Sequence, residues 1–568
     1  MVYKISDNII SPLGETTEAN YSVIKEGKSA LSPYTDKWNI PEPFFGSLFT
    51  EEQNAHLAIP GFTRFESLVI HSVKSALSYV SIPLSSKRIA FVLSTTKANV
   101  AELEESAETY NGFYPGITAQ RIAQYFGIQT EPIVVCNACI SGVSAIITAK
   151  RLIESGAYDY AIVCGADCQS KFIISGFQSL KALSSKQCRP FDIERLGLNL
   201  GEAAATMILC APSLIKEDET PWCITSGSTH NDAFHISSPS PKGEGSYRSL
   251  TSVLETNDAN DLAFINLHGT ATMYNDQMES KAVQRAELLD VPVNGFKGYY
   301  GHTMGAAGIL ETLLSMYSVD DHTIIGTRGY EERGVSGKLN LTAAHKETDK
   351  QSFAKLISGF GGCNAALYAT HREMCVAPKE SVQTKVLHTV DITPKTVFVD
   401  GVQLETEGEG KALLTQIYKK RIGEYPKFYK MDLLSRLGFV ASELLIEAEG
   451  DERFTSHADR GVILFNKTSS VVADKEYQKS ISDLSDYYPS PAAFVYTLPN
   501  IVTGEIALRN KYHGETSFYI LPENNQEVMD QVVGAAFNDS HMESILCGWI
   551  DCESDNDFNA TLKLIVKL

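Results

Sequence analysis

Two cysteines, Cys136 and Cys139, stand three positions apart directly after the apolar run "PIVV". A structural zinc site would need a second pair with comparable spacing, which the neighbouring cysteines do not provide. A thioredoxin-like couple would open the first helix of a small domain, whereas this pair lies deep in a long chain. The turn "NACISG" favours a single reactive thiol instead, because the first amides of the following helix favour a thiolate. Cys139 is then the candidate nucleophile and Cys136 a small buried hydrophobic residue.

Two later segments supply residues with which a thiol could work. "AFINLHGT" places His268 at the end of an apolar strand, and "KGYYGHTMGAAG" places Lys297 and His302 five residues apart before a helix rich in Gly and Ala. A lone histidine at a strand end is more often structural than catalytic, and a Gly/Ala helix start more often reflects close packing. Neither segment decides the function by itself.

A third segment, "GFGG", surrounds Phe360 with Gly359, Gly361 and Gly362 before a predicted strand. Such a glycine cluster can bring backbone N–H groups close to a ligand, as an oxyanion hole requires. It can equally form a tight turn with no ligand. Both interpretations stay open on the residues alone.

The elements that must position these residues alternate along the chain. "RIAFVLST", "EPIVVCNA" and "YDYAIVCGAD" are typical of strands, and "ITAQRIAQYFG" and "SAIITAKRLIESG" are typical of helices. This alternation predicts a layered α/β fold over residues 1–370. Residues 371–396 lose the periodicity and carry two prolines, so we predict a linker there and a second α/β unit over 397–568.

The second unit repeats four stretches of the first in the same order. The pairs are "RGVILFNKTSS" with "RIAFVLSTTKA", "DYYPSPAA" with "GFYPGITA", "EIALRNKYHG" with "RIAQYFG", and "SILCGWIDC" with "AIVCGADC". The stretch where an equivalent of Cys139 would fall, "SFYILPENNQEV", contains no cysteine. The order indicates a diverged internal duplicate without the nucleophile, the alternative being chance similarity between two α/β units.

Composition restricts the class of protein. The 568 residues are 43% hydrophobic and 21% charged, with no apolar run of membrane length, and Asp7 interrupts the N-terminal stretch where a secretion signal would need an apolar core. We therefore expect a cytoplasmic protein whose eleven cysteines are reduced. The net charge of -20 argues against nucleic acid and membrane surfaces as partners.

Taken in order, the segments of residues 1–370 resemble the β-ketoacyl-acyl-carrier-protein synthases, the condensing enzymes of the thiolase superfamily. The resemblance runs from "SPLG" through "NACISG", "RPFD", "NLHGTATMYND" and "KGYYGHTMGAAGILE" to "GFGG". It implies a thiolase-like αβαβα fold, two similar halves with sheets between helix layers, paired as a dimer through a sheet edge beside the active site. The unit at 397–568 resembles the N-terminal half of the same family.

The resemblance also assigns roles. Cys139 matches the acyl-accepting nucleophile, and His268 and His302 match the paired catalytic histidines. Lys297 matches the lysine of the family's K-x-x-x-x-G-H segment and is predicted as catalytic with them. Supporting positions of the same motifs are Glu311, Phe360 as the gating aromatic, Gly361, Gly362, Thr270 and Thr272. Two roles stay open for Lys297: tuning His268 or the malonyl carboxylate, or pairing with Glu311 to order the site.

The activity implied by the resemblance is a decarboxylative Claisen condensation. A Cys139-bound acyl chain would react with a malonyl carrier to give a 3-oxoacyl carrier, in fatty acid or specialised polyketide or polyene biosynthesis. We expect no metal and no organic cofactor, because the phosphopantetheine arm arrives on the acyl carrier protein. That carrier is the expected partner, together with a second copy of the chain or a related condensing-enzyme subunit.

Two other functions were compatible with parts of the sequence. A chain-length-factor-like partner of another synthase would be non-catalytic, but such partners usually lack the cysteine. A thiolase acting on coenzyme A esters would use a second cysteine, and Cys363 lies in roughly the right region, but the histidine motifs are not of thiolase type.

Four positions depart from the family pattern. Asn137 stands where Thr is common, Cys363 where Thr or Ser is common, and Met273 and Tyr274 replace a stretch that usually contains proline. None of these changes removes a catalytic group. We expect them to give an acyl pocket unlike that of a housekeeping fatty-acid enzyme.

Overall fold

The central strands of the first half are apolar runs buried along their whole length, such as "IAFVLS" and "IVV". The computed structural model describes residues 1–105, 112–216, 220–371, 382–450, 454, 457–538 and 541–568. The strands of the first half are β1 Val2–Ile10, β2 Ser32–Tyr34, β3 Phe44–Ser47, β4 Ile89–Ser94, β5 Ile133–Val135, β6 Tyr160–Asp167, β7 Leu200–Gly201 and β8 Ala203–Cys210. Its helices are α1 Thr17–Lys25, α2 Glu51–Leu57, α3 Arg64–Leu77, α4 Glu102–Glu105, α5 Pro115–Tyr125, α6 Ser141–Glu154 and α7 Lys171–Ser179.

The second half contributes another sheet. Its strands are β9 Cys223–Asn231, β10 Leu262–Asn266, β11 Pro292–Asn294, β12 Thr323–Ile324, β13 Asn340–Leu341, β14 Lys346–Glu347, β15 Ser352–Ser358 and β16 Cys363–Thr370. Its helices are α8 Glu244–Leu254, α9 Met273–Arg285, α10 Lys297–Tyr300 and α11 Ala307–Asp320. Two short 3₁₀ turns matter for the site, Ala138–Ile140 before α6 and Met304–Ala306 before α11.

The two sheets enclose a central helix layer. In the first sheet the strand order is β5-β4-β6-β8-β1, and in the second it is β11-β10-β15-β16-β9. Helices α6 and α11 contact strands of both sheets, and nearly all of their side chains are buried. Helices α3 and α5 cover the outer face of the first sheet, and α8 covers the second. The layered αβαβα arrangement predicted from the sequence is therefore confirmed.

The C-terminal unit repeats the topology of the first half. Its strands are β17 Thr384–Ile392, β18 Val397–Val399, β19 Val402–Gln403, β20 Gly461–Asn466, β21 Thr516–Ile520, β22 Ser544–Ser554 and β23 Asp557–Lys567. Its helices are α12 Gly410–Ile417, α13 Leu433–Glu449, α14 Val471–Ser482, α15 Pro491–Tyr496, α16 Ile501–Asn510 and α17 Gln526–Ala536. The order β21-β20-β22-β23-β17, with two parallel and then two antiparallel pairings, matches β5-β4-β6-β8-β1 strand for strand. The strand topology of the first half thus recurs in the C-terminal unit, which is called the half-copy below.

One predicted boundary is wrong. Strand β17 begins at Thr384, inside the stretch 371–396 that the sequence predicts as a linker. Its first residues are exposed and its apolar pattern is weak, so the strand carries little of the periodic signal from which strands are predicted. Pro394 belongs to the turn between β17 and β18. Residues 372–381 of the predicted linker lie outside the described residues.

The two units join through one strand pair. Strand β21 lies antiparallel to β5, with Tyr519 opposite Val135 and Ile520 opposite Val134. The first sheet therefore continues into the sheet of the C-terminal unit. The sheet edge through which the family resemblance implied dimerisation is occupied by the chain's own half-copy.

A helix that crosses a membrane is long and predominantly apolar. Within the described ranges, no helix combines the length and the apolar character that crossing a bilayer requires.

A glycine in α16 tests how closely the two units pack. A Cβ added to Gly504 would lie 2.5 Å from the carbonyl oxygen of Gly361, whereas one added to Gly534 in α17 meets no atom within 4 Å. We expect Gly504→Ala to lower the free energy of unfolding by roughly 1–3 kcal/mol, because backbone atoms must move apart. Gly534→Ala should raise it by about 0.5–1 kcal/mol through helix propensity. Chemical denaturation measures both, and equal effects of the two substitutions would contradict close packing at Gly504.

Candidate active site

The nucleophile turn is held in an unusual backbone conformation. Cys139 lies on the 3₁₀ turn between β5 and α6, and the preceding Ala138 has φ of 48°, in the left-handed region. The backbone N–H of Asn137 donates to the hydroxyl of Ser141 at 2.8 Å, and that hydroxyl donates to the carbonyl of Ala138 at 2.5 Å. These bonds place Cys139 at the N-terminal end of the buried helix α6.

Three reactive side chains from distant parts of the chain meet at this point. The sulfur of Cys139 and one ring nitrogen each of His268 and His302 all lie within 4.8 Å of one another. The imidazole centroids are 4.9 Å apart and the rings are nearly perpendicular. They open into a cavity of about 350 Å³, the outer cavity. Of the residues predicted from the sequence, it is lined by Cys139, His268, His302, Thr270, Thr272, Phe360 and Gly362.

The tautomer of His302 follows from its hydrogen bonds. The backbone N–H of Met304 donates to Nδ1 of His302 at 3.3 Å, so the ring proton of the neutral imidazole sits on Nε2. Nε2 is buried and has no partner among the described residues. Nε2 of His302 can therefore donate a hydrogen bond to an acceptor that enters the site. This tautomer suits donation to a substrate oxygen and does not suit metal ligation through Nε2.

The loop that carries His268 is held by a residue that the sequence analysis missed. Glu279 of α9 accepts the backbone N–H of His268 at 2.6 Å and that of Gly269 at 2.8 Å. Both oxygens of one buried carboxylate thus fix the backbone at the end of β10. Burial raises the pKa of Glu279 to about 7. The signal in the sequence was an acidic pair, Asp276 and Glu279, one helical turn apart on α9.

A buried charge cluster lies behind the histidines. Lys297 donates to one oxygen of Glu311, and Lys355 donates to the other at 2.5 Å. The structure thus places Lys297 against Glu311, as one of the two open roles requires. Lys355 was not singled out from the sequence, although a lysine inside the fully buried strand "SFAKLIS" is a visible anomaly. Burial lowers the pKa of Lys355 to about 8.

The charge cluster and burial together set the protonation of the site. Burial lowers the pKa of both His268 and His302 well below its usual value, and the positive charge of Lys297 adds to that effect. Both rings are therefore neutral. Burial raises the pKa of the Cys139 thiol to about 12, while Lys297 opposes that rise. The resting thiol is protonated, and a neutral imidazole is the group within reach that can accept its proton.

Asp167 connects the end of β4, at Thr95 and Thr96, with the turn that follows His302. This buried carboxylate at the end of β6 accepts the hydroxyl of Thr95 at 2.7 Å and the backbone N–H of Gly305 at 2.7 Å. It also accepts the backbone N–H and the hydroxyl of Thr96. Asp167 therefore fixes the turn that follows His302, and only its place at a strand end hinted at this from the sequence.

The glycine-rich turn brings Phe360 over the site. Gly361 and Gly362 have φ of 90° and 72°, a conformation that other residues rarely adopt. Neither the backbone N–H of Cys139 nor that of Phe360 donates to a backbone carbonyl in the turns that the structure describes. Asn500 of the C-terminal unit donates to the carbonyl of Phe360 at 2.8 Å. The C-terminal unit therefore takes part in shaping this turn.

The departures from the family pattern have separate structural contexts. The side-chain oxygen of Asn137 accepts the backbone N–H of Phe518 in β21 at 2.6 Å, so this residue binds the half-copy. The thiol of Cys363 donates to the carbonyl of Phe360 at 3.2 Å. Met273 and Tyr274 are exposed and lie at the mouth of the outer cavity. Cys136 is fully buried, with its sulfur 3.3 Å from the carbonyl of Thr96.

Comparison with known proteins gives the class of this site. Residues 75–213 match the N-terminal domain of β-ketoacyl synthases, and residues 223–331 match the C-terminal domain. The fold is the thiolase-like fold of ketosynthases. Within residues 75–331 the chain is similar to the β-ketoacyl synthase family in both of that family's domains.

Two curated relatives show the degree of similarity. The chain is 30% identical over 275 residues to the tetracenomycin polyketide synthase ketoacyl synthase alpha subunit of Streptomyces glaucescens, covering 46% of this chain and 64% of that protein. It is 32% identical over 250 residues to 3-oxoacyl-[acyl-carrier-protein] synthase 2 of Rhizobium meliloti (strain 1021), covering 41% and 59%. The chain thus spans less than two thirds of the length of these relatives.

Solved structures match the fold. A β-ketoacyl synthase from Burkholderia phymatum STM815 superposes with a TM-score of 0.59 at 23% identity, covering 66% of this chain and 99% of that one. The PfaC keto synthase-chain length factor superposes with a TM-score of 0.79 at 13% identity, covering 100% of this chain and 78% of that one. The second match extends over the C-terminal unit, so the fold of the whole chain has a known counterpart.

The protonation of the histidines can be measured directly. At about pH 6, where most free imidazole is protonated, we expect the ring nitrogens of His268 and His302 to show neutral imidazole shifts in histidine-labelled protein. His268→Asn and His302→Asn assign the signals, and urea-unfolded protein is the control in which both titrate normally. Because the folded pKa lies below the unfolded one, these rings lower the stability only as the pH falls through about 6.5. Imidazolium shifts from either ring at about pH 6 would show that the site is wetter than described.

Proposed function

We propose that the chain catalyses the condensation of an acyl group with a malonyl carrier, giving a 3-oxoacyl carrier. The observation that carries the proposal is the convergence of one thiol and two neutral imidazoles within 4.8 Å in a single cavity. A nucleophile, a proton acceptor and donors for a developing oxyanion are the groups that acyl transfer requires. The similarity to 3-oxoacyl-[acyl-carrier-protein] synthase 2 supports the same reaction.

In the first half-reaction the sulfur of Cys139 attacks the carbonyl carbon of an acyl thioester. The new C–S bond forms, the tetrahedral oxyanion collapses, and the carrier thiol leaves with the proton that Cys139 gave up to a neutral imidazole. The proposal assigns the oxyanion to the backbone N–H groups of Cys139 and Phe360, neither of which donates to a backbone carbonyl within the described turns. The product is a thioester on Cys139.

In the second half-reaction a malonyl thioester loses CO2. The electron pair of the breaking C–C bond passes to an enolate whose oxygen accepts a hydrogen bond from Nε2 of His302, the donor left without a partner. His268 is the imidazole that takes the thiol proton in the first half-reaction, because Nε2 of His302 already carries a proton. The enolate carbon attacks the Cys139 thioester, Cys139 leaves as thiolate, and it regains a proton.

Lys297, Glu311 and Lys355 act behind the reacting atoms in this proposal. Two lysines share one carboxylate, so the cluster carries excess positive charge next to both imidazoles. Positive charge disfavours imidazolium and keeps the rings as donors. Lys297 is thus proposed as a positioning residue. Its test is a shift in the pH profile on Lys297→Met, beyond any loss of rate.

The C-terminal unit is proposed to replace the second subunit of a condensing-enzyme dimer. It covers the β5 edge, binds Asn137 through Phe518 and holds the Phe360 carbonyl through Asn500. The similarity in fold between the whole of this chain and the PfaC keto synthase-chain length factor supports this proposal. An acyl carrier protein is the proposed donor of both substrates.

The two cysteines of the C-x-x-C give a matched test of the nucleophile. After incubation with an acyl-carrier thioester, we expect intact-mass spectrometry to show one acyl group on wild type and on Cys136→Ala, and none on Cys139→Ala. The reason is that Cys136 is buried directly after β5, whereas Cys139 lines the outer cavity. Acylation that persists in Cys139→Ala would rule out this nucleophile. Wild type that takes up no acyl group would favour a chain-length-factor-like role.

Variants of His302 and of Cys139 should each lose a different step of the proposed reaction. We expect His302→Ala to accept the acyl group on Cys139 but to release CO2 from malonyl carrier at least about 10²-fold more slowly, the cost of removing one oxyanion donor. Cys139→Ala should still release CO2. The two assays are run on the same preparations, and unchanged CO2 release by His302→Ala would remove this residue from the decarboxylation step.

A further inference from the structure

A second, inner cavity begins where the outer cavity ends. It measures about 20 Å³, and it shares Cys139, Phe177 and Phe360 with the outer cavity. The two aromatic rings therefore stand between the cavities. A space of this size holds about one water molecule, so the inner cavity has room for only the smallest acyl groups as it stands.

The walls of the inner cavity come from both units. The C-terminal unit supplies Phe494 and Leu498, and the first half supplies Ile173, Phe177 and Lys97. The lining is almost wholly apolar apart from Thr96 and Lys97. The group that occupies it must therefore be apolar.

Lys97 is the one charged residue of this lining, and its ammonium group is fully engaged. Nζ donates to Asp474 at 2.5 Å, to the carbonyl of Thr497 at 2.6 Å and to the hydroxyl of Ser470 at 3.2 Å. Both charged side chains are buried, with 5% and 6% of their surfaces exposed. Since an ammonium group has three N–H donors, none remains for a substrate. Lys97 is therefore part of a wall and not a ligand-binding cation.

A third cavity lies next to this ion pair. It measures about 10 Å³ and is lined by Lys97 and Asp474 together with Leu103, Phe113, Tyr114 and Thr468. Lys97 lines both this cavity and the inner cavity, whereas Asp474 lines only the third cavity. The lysine side chain therefore forms a partition between two small spaces, and Asp474 of the other unit holds it in place. Removing the partition would join the inner cavity to the space behind it.

We infer that the Lys97–Asp474 ion pair is the end wall of the acyl pocket and restricts the Cys139-bound group to short apolar chains. This inference rests on the proposed function. It deepens that function by naming the substrate class and the two residues that set it. The half-copy holds Asp474, Ser470 and Thr497, so it determines the depth of a pocket whose nucleophile lies in the other unit.

The experiment replaces both charges together, because removing one would leave the other buried and unpaired. Wild type and Lys97→Ala/Asp474→Ala are incubated with the acetyl, hexanoyl and decanoyl thioesters of N-acetylcysteamine, and the acyl group on Cys139 is quantified by intact-mass spectrometry. We expect wild type to favour acetyl. The decanoyl-to-acetyl ratio should rise at least about tenfold in the variant, the gain from burying about two more methylene groups.

Two control variants show whether a change in the decanoyl-to-acetyl ratio comes from the volume of the pocket, from the lost charges or from lost stability. Lys97→Met/Asp474→Leu refills the wall with apolar atoms, and we expect it to keep the preference for acetyl. Arg151→Met/Glu515→Leu removes another buried ion pair between the two units, one that is absent from the inner cavity lining. We expect that variant to keep the wild-type ratio. A tenfold rise in either control would overturn the assignment of the wall.

The outcomes distinguish this inference from the function on which it rests. If no thioester acylates Cys139 in wild type, both fail. If acetyl loads normally and the folded Ala pair keeps the wild-type ratio, only the end wall is wrong. If the Ala pair does not fold, Lys97→Ser/Asp474→Ser provides a second variant with an enlarged pocket, because its hydroxyls can still bond to the Thr497 carbonyl. The decanoyl-to-acetyl ratio of that variant then decides the question.

Discussion

The pairing of β21 with β5 is the contact on which the active site depends. Strand β5 ends in the nucleophile turn, and beyond the regular ladder the backbone N–H of Cys136 donates to the carbonyl of Phe518 at 3.0 Å. Asn137 completes the junction with its side chain. A short edge strand of three residues would leave unpaired backbone groups beside Cys139. The half-copy satisfies those groups and fixes the position of the turn.

A second constraint is the buried charge that lies next to the two neutral imidazole rings. Burial keeps both imidazoles uncharged, and the two buried lysines that share the single carboxylate of Glu311 add to that effect. Neutral imidazoles can donate from Nε2 to a developing oxyanion and can also take a proton from a thiol. One arrangement of buried charge therefore supports both halves of the proposed reaction. It also explains why the cluster lies out of contact with the outer cavity.

The residues proposed to react were easier to predict from the sequence than the residues that hold them in place. Cys139, His268 and His302 follow recognisable strand ends and glycine turns, so their motifs could be read in order along the chain. Glu279 and Asp167 contact the site through backbone N–H groups, and such contacts leave no motif because any acceptor at the right point in space would serve. The strand β17 was missed for a different reason, since its half-exposed residues show no clean alternation. The duplication was visible as four weak similarities, but which face the copy would cover depends on long-range pairing.

Fusion of the half-copy to the catalytic unit has a consequence for assembly. Two separate subunits dissociate on dilution, and their stability depends on protomer concentration. When both partners share one backbone, the second association becomes intramolecular and its effective concentration is set by the connecting chain. The stoichiometry is then one to one by synthesis, and no exchange with a foreign partner can alter the site. In the proposed function Cys139 is the nucleophile, and the corresponding stretch of the half-copy, "SFYILPENNQEV", has no cysteine. The pseudo-dimer is then asymmetric, with one half free to change wherever the β5 edge and the acyl pocket do not constrain it.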